Sequence, residues 1–296
     1  MARRVLIFHN AHAAKGRSRK GLERILDIVN REKFEYKIQA TLGGFEANRK
    51  VMAMHYERFK PSEIWVSGGD GTLHLFINSL PVEMWSLPVA IIPTGSGNDF
   101  IKNYLKDATT IEHSLQVALA RKTMPCDVWQ CNGRLFIHGF GVGFDGQVVE
   151  SMTGEDSPLR GFIAYYFQII RLLMTYREKE FTVTVGDTVY KQPCFLITAG
   201  NSTTFGGGFT VTPNAKLNDG QLDVCIISKV PKLMRPFWMR KVEKGTHLKL
   251  SVVKYFNADK ITIETPLKIP AHIDGELLHG NLFEIESHER KLTIMV

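Results

Sequence analysis

Two glycine-rich loops, each between an apolar strand-like run and a helix-like stretch, place the strongest constraint on the fold of this chain. The first loop, Gly68-Gly-Asp-Gly-Thr72, follows Ile64-Trp-Val66, and the second, Pro93-Thr-Gly-Ser-Gly-Asn-Asp-Phe100, follows Pro88-Val-Ala-Ile-Ile92. Strands that alternate with helices at this spacing indicate a parallel sheet with crossover helices. Because ligands bind beyond the carboxyl ends of the strands in such sheets, both loops are expected at the binding edge of an α/β domain.

The first loop is a candidate phosphate cradle. Its three glycines in four positions allow the backbone to approach a ligand closely, and the helix that follows offers N–H donors to an anion. An aspartate in such a loop opposes a phosphate unless a divalent cation lies between them, so Asp70 is interpreted together with Mg²⁺. A strand-to-helix turn with a capping aspartate would use the same residues, and both interpretations stay open.

The second loop supplies neutral polar groups from Thr94, Ser96 and Asn98. Two such loops at the ends of two strands could converge on one nucleotide. Neither loop has the Lys-Ser/Thr pair of the Walker pattern or the spacing of the dinucleotide-binding G-x-G-x-x-G motif. The predicted nucleotide site is therefore of another type.

From Cys126 onward the chain changes to β-branched and aromatic runs, several of them alternating. The runs are Arg134–His138, Phe181–Val185, Phe195–Thr198, Leu222–Ile227 and Lys260–Glu264. They favour a mostly antiparallel sandwich or barrel, interrupted by a helix-like stretch at Gly161–Arg177. We expect an α/β domain at residues 1–127 and a β-sandwich domain at 128–284, with a C-terminal segment, about 285–296, that can pack back on the first domain.

Composition fits a folded chain with an anionic partner. Hydrophobic residues make up 44% and charged residues 23% of the 296 positions, near the globular average. Lys and Arg number 37 against 30 Asp and Glu, a net charge of +7, so phosphate groups or an anionic surface are candidate partners. No signal peptide and no spanning run of about 20 apolar residues is visible. The cysteines show neither metal-ligand spacing nor disulfide density and are interpreted as reduced thiols of a cytosolic protein: Cys126, Cys131, Cys194 and Cys225.

Four further motifs accompany the two loops. They are Gly141-Val-Gly-Phe-Asp145, the stretch from Asn201 through Phe205-Gly-Gly-Gly208 to Pro213, Asp219-Gly-Gln-Leu-Asp223 and Asp274-Gly-Glu276. In this order, over nearly the whole chain, the motifs resemble the diacylglycerol kinase catalytic family, and within it the soluble bacterial lipid kinases related to sphingosine and ceramide kinases. The resemblance implies an α/β domain like that of NAD kinases and phosphofructokinases and a mostly antiparallel β-sandwich domain, with the active site in the cleft between them.

The resemblance also implies a set of nucleotide-binding residues. They are Asn10, Arg17, Thr41, Gly68, Gly69, Asp70, Gly71, Thr72, Thr94, Gly95, Ser96 and Asn98. Two positions depart from the family pattern: Ala11 stands in place of the proline of an Asn-Pro motif, and His74 replaces an asparagine. Arg17 belongs to a basic cluster at residues 15–20, which could meet phosphate or could be an exposed helix start.

Carboxylates carry the catalysis that the resemblance implies. Asp274 matches the general base for the lipid hydroxyl, which suits a reaction that needs positioning, charge neutralisation and one proton acceptor. If the segment is extended, Glu276 shares a strand face with Asp274. The catalytic Mg²⁺ network would comprise Asp70, Asp99, Asp127 and Glu276. From the residues alone, the Asp-Gly pair also predicts a turn.

A second, structural Mg²⁺ site is implied at Lys216-Leu-Asn-Asp219-Gly-Gln221. Relatives use an aspartate there, so Asp219 is the expected side-chain ligand, with the carbonyl oxygens of Lys216 and Gln221 beside it. An Asp-Gly hairpin turn between strands is the alternative.

Residues 229–249 form a candidate membrane-docking segment, with seven basic residues, one acid and Phe237-Trp-Met239 at the centre. An anionic lipid interface attracts basic residues around aromatic side chains. A charged face that packs its aromatic side on the core is the alternative. The expected docking residues are Lys232, Arg235, Trp238, Arg240 and Lys241.

The activity implied by the resemblance is ATP-dependent phosphorylation of the hydroxyl of diacylglycerol to give phosphatidic acid, in the cytoplasm at the inner face of the membrane. Sphingoid bases and ceramide are alternative acceptors, and a non-catalytic lipid-binding relative is a further alternative. An NAD kinase fits the second loop and residues 205–208 less well. A homodimer is a family-level expectation, and no nucleic-acid partner is expected because no reader motif accompanies the positive charge.

Overall fold

The computed structural model describes residues 3–13, 17–105, 110–153 and 162–296, with residues 153 and 162–168 described by their backbone alone. The chain divides into two compact units. The first unit comprises Met1–Val128 with His288–Val296, and the second comprises Trp129–Ser287.

The two units use fifteen strands and eight helices among the described residues. The strands are β1 (Arg4–His9), β2 (Glu35–Ala40), β3 (Glu63–Gly68), β4 (Val89–Pro93), β5 (Thr123–Cys126), β6 (Trp129–Cys131), β7 (Arg134–Phe136), β8 (Gly139–Gly143), β9 (Lys179–Val185), β10 (Thr188–Gly200), β11 (Leu222–Ser228), β12 (Val253–Ala258), β13 (Lys260–Ile273), β14 (Glu276–Ser287) and β15 (Leu292–Met295). The helices are α1 (Arg17–Arg31), α2 (Phe45–Phe59), α3 (Asp70–Ser79), α4 (Asp99–Tyr104), α5 (Ile111–Ala120), α6 (Phe144–Thr153), α7 (Phe162–Thr175) and α8 (Arg235–Glu243).

The first unit is built on a sheet with the strand order β2-β1-β3-β4-β15-β5. β1 to β4 pair in parallel, whereas β15 is parallel to β4 and antiparallel to β5. The apolar runs of β1, β3 and β4 are buried throughout, as expected for parallel strands covered on both faces. The chain moves from β1 outward to β2 and returns to β3 on the other side of β1, so the carboxyl ends of β1 and β3 form a topological switch point where ligands bind in such sheets.

The second unit is built on a nine-stranded sheet whose strand pairs are antiparallel. The sequence indicates only parts of β10 and β13, which reach 13 and 14 residues because each continues through a register shift. The first part of β10 pairs with β9 and its last part with β8 and β11, and β13 likewise changes partners along its length. Irregularities of this kind bend a strand. The predicted α/β domain followed by a mostly antiparallel β domain is confirmed.

Three helices, α6, α7 and α8, contribute to a second apolar cluster in this unit. α7 occupies the stretch predicted to be helical, although Gly161 lies outside the described residues. Its described buried residues, Ile169 and Leu173, lie on one face, while Ile170 and Met174 are exposed. Among the described residues, no helix combines the length and apolarity required to cross a bilayer.

Candidate functional site

The two glycine loops of the first unit pack backbone against backbone. The carbonyl oxygen of Gly68 accepts hydrogen bonds from the N–H groups of Thr94 (3.0 Å) and Gly95 (3.2 Å). A Cβ added to Gly95 would lie 2.4 Å from the Cα of Gly69, so a side chain at this position would push the loops apart. The structure thus brings together the two loops that the sequence singles out, and the close approach explains these glycines.

Asp70 joins the first loop to the helix that follows the second. Its Oδ2 accepts a hydrogen bond from the N–H of Asp99 and its Oδ1 one from the N–H of Phe100, both at 3.0 Å. These N–H groups belong to the first turn of α4, where they have no partner within the helix. Asp70 therefore caps α4, the helix after the second loop, rather than α3, the helix that follows its own loop. This capping does not exclude a cation, because each carboxylate oxygen keeps a second lone pair.

Asn10 links the ends of β1 and β3 at the switch point. Its backbone N–H donates to the carbonyl oxygen of Ser67 (3.0 Å), and its side-chain Nδ2 donates to Oγ1 of Thr72 (2.9 Å). Thr72 is buried in the first turn of α3. Asn10, the asparagine at the position of the family's Asn-Pro motif, thus contacts Thr72 of the first loop directly.

Two buried polar atoms of the second loop lack a hydrogen-bond partner in the described part of the chain: Oγ1 of Thr94 and Oδ1 of Asn98. Asn98 has a left-handed backbone (φ 55°), and its Nδ2 donates to the carbonyl oxygen of Gly95 (2.9 Å). Leaving such an atom unpaired costs about 1–3 kcal/mol. Gly71 of the first loop and Ser96 of the second loop are exposed. A polar ligand would satisfy both atoms.

Two further residues of the predicted nucleotide-binding set, Arg17 and Thr41, follow the carboxyl ends of β1 and β2 in the chain. Arg17 is exposed at the start of α1, and Thr41 donates its backbone N–H to the carbonyl oxygen of His9 (2.9 Å) just beyond β2. Lys15 of the same basic cluster lies outside the described residues. The exposed helix start is thus observed for Arg17, while contact with phosphate stays a prediction.

His74, which replaces the family's asparagine, is buried between two helices. Its ring lies 5.9 Å from that of Phe45 at the start of α2, and its backbone carbonyl accepts a hydrogen bond from Nδ2 of Asn78 (3.0 Å). The structure gives this substitution a packing role between α2 and α3.

Two of the other carboxylates in the predicted metal network are paired with lysines. Asp99 accepts a hydrogen bond from Lys102 (3.1 Å), and the buried Asp127 forms an ion pair with Lys291 (2.6 Å). Glu276 is exposed in the second unit. No group of three or more His, Cys, Asp or Glu side chains suited to a metal exists within the described residues. This is compatible with Mg²⁺, which typically binds through one or two carboxylates, phosphate oxygens and several waters.

Asp274 occupies the two-residue turn between β13 and β14 in the second unit. Asp274 and Gly275 both have positive φ, 53° and 87°, which a tight hairpin turn of this type requires. Asp274 as a residue is 8% exposed, and its Oδ1 accepts from the N–H groups of His138 (2.9 Å) and Gly139 (3.0 Å) and its Oδ2 from that of Ile137 (3.3 Å). The predicted turn is present, and the loop after β7 fixes the carboxylate.

Glu276 does not share a strand face with Asp274. Asp274 is in the left-handed region, so the extended geometry on which that expectation depended is absent. Glu276 instead begins β14, paired with Ile273 across the hairpin.

Two histidines that the sequence analysis passed over lie near Asp274. His272 is buried with its imidazole against Gly141, where an added Cβ would fall 2.3 Å from Nε2. Burial lowers the pKa of His272 to about 4, although the charge of Asp274 opposes the shift. His138 is within hydrogen-bond distance of Oγ of Ser202 through its Nδ1 (2.7 Å). The available signal was the two-residue spacing of His272 from Asp274, but a histidine in an apolar strand usually indicates a core position.

Asp145 and Asn201, from two other motifs of the second unit, form hydrogen bonds with residues of that unit. Asp145, at the start of α6, accepts a hydrogen bond from the hydroxyl of Thr198 (2.9 Å). Burial raises the pKa of Asp145 to about 6, and the hydrogen bond from Thr198 opposes the shift. Asn201 accepts from Nε1 of Trp129 (3.1 Å) and donates to the carbonyl oxygen of Ile137 (2.8 Å), which supports the loop that holds Asp274.

The proposed structural metal residues form a turn before β11. Oδ1 of Asp219 accepts a hydrogen bond from the N–H of Gln221 (3.1 Å), and Gly220 between them has a φ of 74°. Asp219 and Lys216 are exposed. The turn geometry is observed, and the metal stays a prediction.

Two of the expected docking residues do not face outward. Arg235 is 2% exposed and hydrogen-bonded inside the second unit, so its assignment to a membrane surface is wrong. Trp238 is half-buried against the apolar cluster of this unit. Lys232 and Arg240 are exposed, and the half-buried Lys241 lies over the ring of Phe237 at 5.2 Å.

Comparison with known proteins agrees with these features. The diacylglycerol kinase catalytic domain matches residues 4–131, and the YegS C-terminal NAD kinase beta sandwich-like domain matches residues 140–296. The chain belongs to the family of lipid kinases in which these two domains occur together. Its sequence is 24% identical to a diacylglycerol kinase of Staphylococcus carnosus, over 97% of this chain and 94% of the relative.

Other relatives give the same picture. Identity to a diacylglycerol kinase of Bacillus subtilis is 24% over 97% of this chain and 95% of the relative. A crystal structure of a diacylglycerol kinase from Bacillus anthracis superposes with a TM-score of 0.72 at 23% identity, covering 99% of this chain and 96% of that one. That likeness supports the fold, and the assignment as a lipid kinase rests on the matched domains and the named relatives.

Proposed function

We propose that this protein transfers the γ-phosphate of ATP to the hydroxyl of diacylglycerol and produces phosphatidic acid. The observation that carries the proposal is the convergence of the two glycine loops at the switch point, with Asp70 between them and two buried polar atoms left for a ligand. The named diacylglycerol kinases that match nearly the whole chain support the choice of acceptor.

The first unit binds the nucleotide. The N–H groups that precede Thr72 at the start of α3 bind phosphate oxygens, because a helix N-terminus presents unpaired donors and a partial positive charge. The N–H groups of Thr72 and Leu73 donate to the carbonyl oxygen of Gly69 instead. The hydroxyl of Thr94 and the amide oxygen of Asn98 complete the contacts that they lack within the chain. Side chains in place of Gly69 or Gly95 would separate the loops and dismantle this surface.

Asp70 is the ligand that we assign to the Mg²⁺ that accompanies ATP in such kinases. Its oxygens have lone pairs to spare beyond the two backbone hydrogen bonds, whereas Asp99 and Asp127 are engaged by lysines. When bound, the ion neutralises charge on the phosphate oxygens during transfer. Asp70 thus both fixes α4 and provides the negative charge that holds the cation.

The second unit supplies the proton acceptor. The hydroxyl oxygen of diacylglycerol attacks the γ-phosphorus, the hydroxyl proton passes to Asp274, and ADP leaves. Three backbone N–H groups hold the carboxylate of Asp274 in one orientation, so it can be aligned with the acceptor before the reaction. His272 remains neutral at physiological pH and adds no competing charge beside it.

A panel of acceptors tests the proposal. Purified protein is incubated with γ-labelled ATP, Mg²⁺ and mixed micelles that contain diacylglycerol, monoacylglycerol, ceramide or sphingosine, and NAD is tested separately. The proposal requires labelled phosphatidic acid at a rate well above the other products. Preferential labelling of ceramide, sphingosine or NAD would assign another acceptor, and ATP binding without any labelled lipid would support the non-catalytic alternative.

A further inference from the structure

The second unit exposes a group of large apolar side chains where α7 meets α8. Leu233 and Met234 lie in the 3₁₀ turn Lys232–Met234 that leads into α8, and Phe237 lies in the first turns of α8. Ile170 and Met174 lie on α7, which contacts both the 3₁₀ turn and α8. Leu233 is 86%, Ile170 59% and Phe237 55% exposed. We call these five residues the apolar corner. Exposed apolar side chains gathered on elements that contact one another are candidates for an interaction surface.

Arg235 holds the apolar corner in place. Its Nη1 donates to the carbonyl oxygens of Leu173 (2.7 Å) and Tyr176 (2.9 Å) at the end of α7, where helix carbonyls lack partners within the helix. Its Nε donates to the carbonyl oxygen of Val230 (3.1 Å), and its Nη2 to Glu178 (2.7 Å). The 3₁₀ turn is therefore anchored to α7 rather than loosely attached.

The two faces of α8 explain why the corner points outward. Trp238, Met239 and Val242 line a small apolar cavity beneath the helix and pack on the core. Leu233 and Phe237, four residues apart, lie on the opposite side and are exposed. The buried side of α8 thus packs on the core of the second unit, whereas Leu233 and Phe237 stay exposed to solvent.

Cations surround the corner. The exposed basic residues next to it in sequence are Lys229, Lys232, Arg240, Lys244, Arg171 and Arg177, against two exposed acids, Glu180 and Glu243. Glu178 contributes little negative charge because it is paired with Arg235. Lysine is depleted at protein–protein interfaces, and a two-fold dimer through this surface would place one cationic rim against another. An anionic lipid surface complements both the charge and the apolar centre.

We infer that the apolar corner docks the protein on an anionic phospholipid bilayer. Leu233, Met234 and Phe237 enter the interface between headgroups and acyl chains, and the surrounding lysines and arginines contact lipid phosphates. This inference rests on the proposed function, because diacylglycerol is an acceptor that resides in a bilayer. It replaces the docking surface predicted from sequence, in which Arg235 and Trp238 took part.

Vesicle co-sedimentation tests the inference. The probes are vesicles of phosphatidylcholine alone and of phosphatidylcholine mixed equally with phosphatidylglycerol. Wild type is expected to bind the mixed vesicles, and the double variant Leu233→Asp/Phe237→Asp to bind them at least about tenfold more weakly. The matched control is Val189→Asp/Leu267→Asp, which adds the same charges at exposed apolar positions of the same unit and should bind like wild type. Lys232→Glu/Arg240→Glu should weaken binding to the mixed vesicles only.

Further readouts separate docking from catalysis and from self-association. Wild-type and corner-variant phosphorylation of a water-soluble short-chain diacylglycerol should be equal, and circular dichroism checks that each variant folds. Equal vesicle binding by the corner variant and its control would overturn the inference. A change from dimer to monomer by light scattering, without a change in vesicle binding, would overturn it in favour of a second copy. Corner-dependent vesicle binding without any lipid phosphorylation would support docking and reject the proposed acceptor.

Discussion

At the scale of single residues, the site depends on carboxylates whose surroundings differ. Asp70 accepts two backbone hydrogen bonds at the edge of a glycine loop, Asp274 accepts three in a hairpin turn, and Asp145 accepts one from a hydroxyl donor. The same chemical group is therefore a helix cap at Asp70, a carboxylate fixed by backbone N–H groups and proposed as the proton acceptor at Asp274, and an acid of raised pKa at Asp145. Two of these environments give predictions at this scale.

Replacing Asp70 with Asn tests its double role. An amide has one acceptor atom instead of two, so one N–H at the start of α4 loses its partner and meets an NH₂ group. We expect Asp70→Asn to lower the free energy of unfolding by about 1–3 kcal/mol in urea titrations and to weaken Mg²⁺-dependent ATP binding in calorimetry. Asp187→Asn, in the exposed hairpin turn between β9 and β10, is the control and should change neither quantity. Unchanged ATP binding by Asp70→Asn would remove this residue from the cation site.

Asp145 makes stability depend on pH. Because burial raises its folded pKa from 3.8 to about 6, its contribution to stability is complete below pH 3.8 and is lost as the pH rises through 6. An amide side chain at this position would stay neutral at every pH. Between pH 4 and pH 7.5, the free energy of unfolding of Asp145→Asn should therefore rise relative to that of wild type by about 2 kcal/mol. A difference that stays constant with pH would contradict titration of Asp145 in the folded protein.

At the scale of elements, Arg235 joins two helices through one side chain. Four hydrogen bonds of its guanidinium reach the end of α7, the segment before α8 and Glu178. We expect Arg235→Met to destabilise the protein by about 3–5 kcal/mol in urea titrations, because it leaves the largely enclosed Glu178 without its cation. Arg240→Met, an exposed change on the same helix, should cost less than about 0.5 kcal/mol. Similar costs for the two variants would show that Arg235 does not anchor the corner.

Local sequence rules predict the elements of the site better than its side-chain surroundings. The glycine loops were found because strand, loop and helix signals are contiguous, and the turn at Asp274 because an Asp-Gly pair favours positive φ. Arg235 was misassigned because its burial depends on carbonyl groups about sixty residues earlier in the chain. The lengths of β10 and β13 were underestimated because register shifts set them, and those depend on partner strands.

At the scale of the whole molecule, each unit carries one part of the proposed reaction. The first unit has the loops for the nucleotide, and the second has the fixed carboxylate of Asp274 and the apolar corner. In the proposed account the phosphate contacts of the first unit are neutral N–H, hydroxyl and amide groups, and the cationic rim of the second unit is the part that uses the positive charge. Nucleotide binding and transfer should accordingly be separable by substitution.

Asp274→Asn separates them most directly. Asn-Gly suits the same tight turn, and the amide oxygen can still accept from His138 and Gly139, so the fold should persist while the proton acceptor is lost. Asp187→Asn is the matched control in another two-residue hairpin. We would measure steady-state transfer of labelled phosphate from ATP to diacylglycerol together with the dissociation constant of ATP. The account predicts a kcat about 10²- to 10⁴-fold below wild type for Asp274→Asn with ATP affinity unchanged, whereas wild-type turnover in this variant would contradict it.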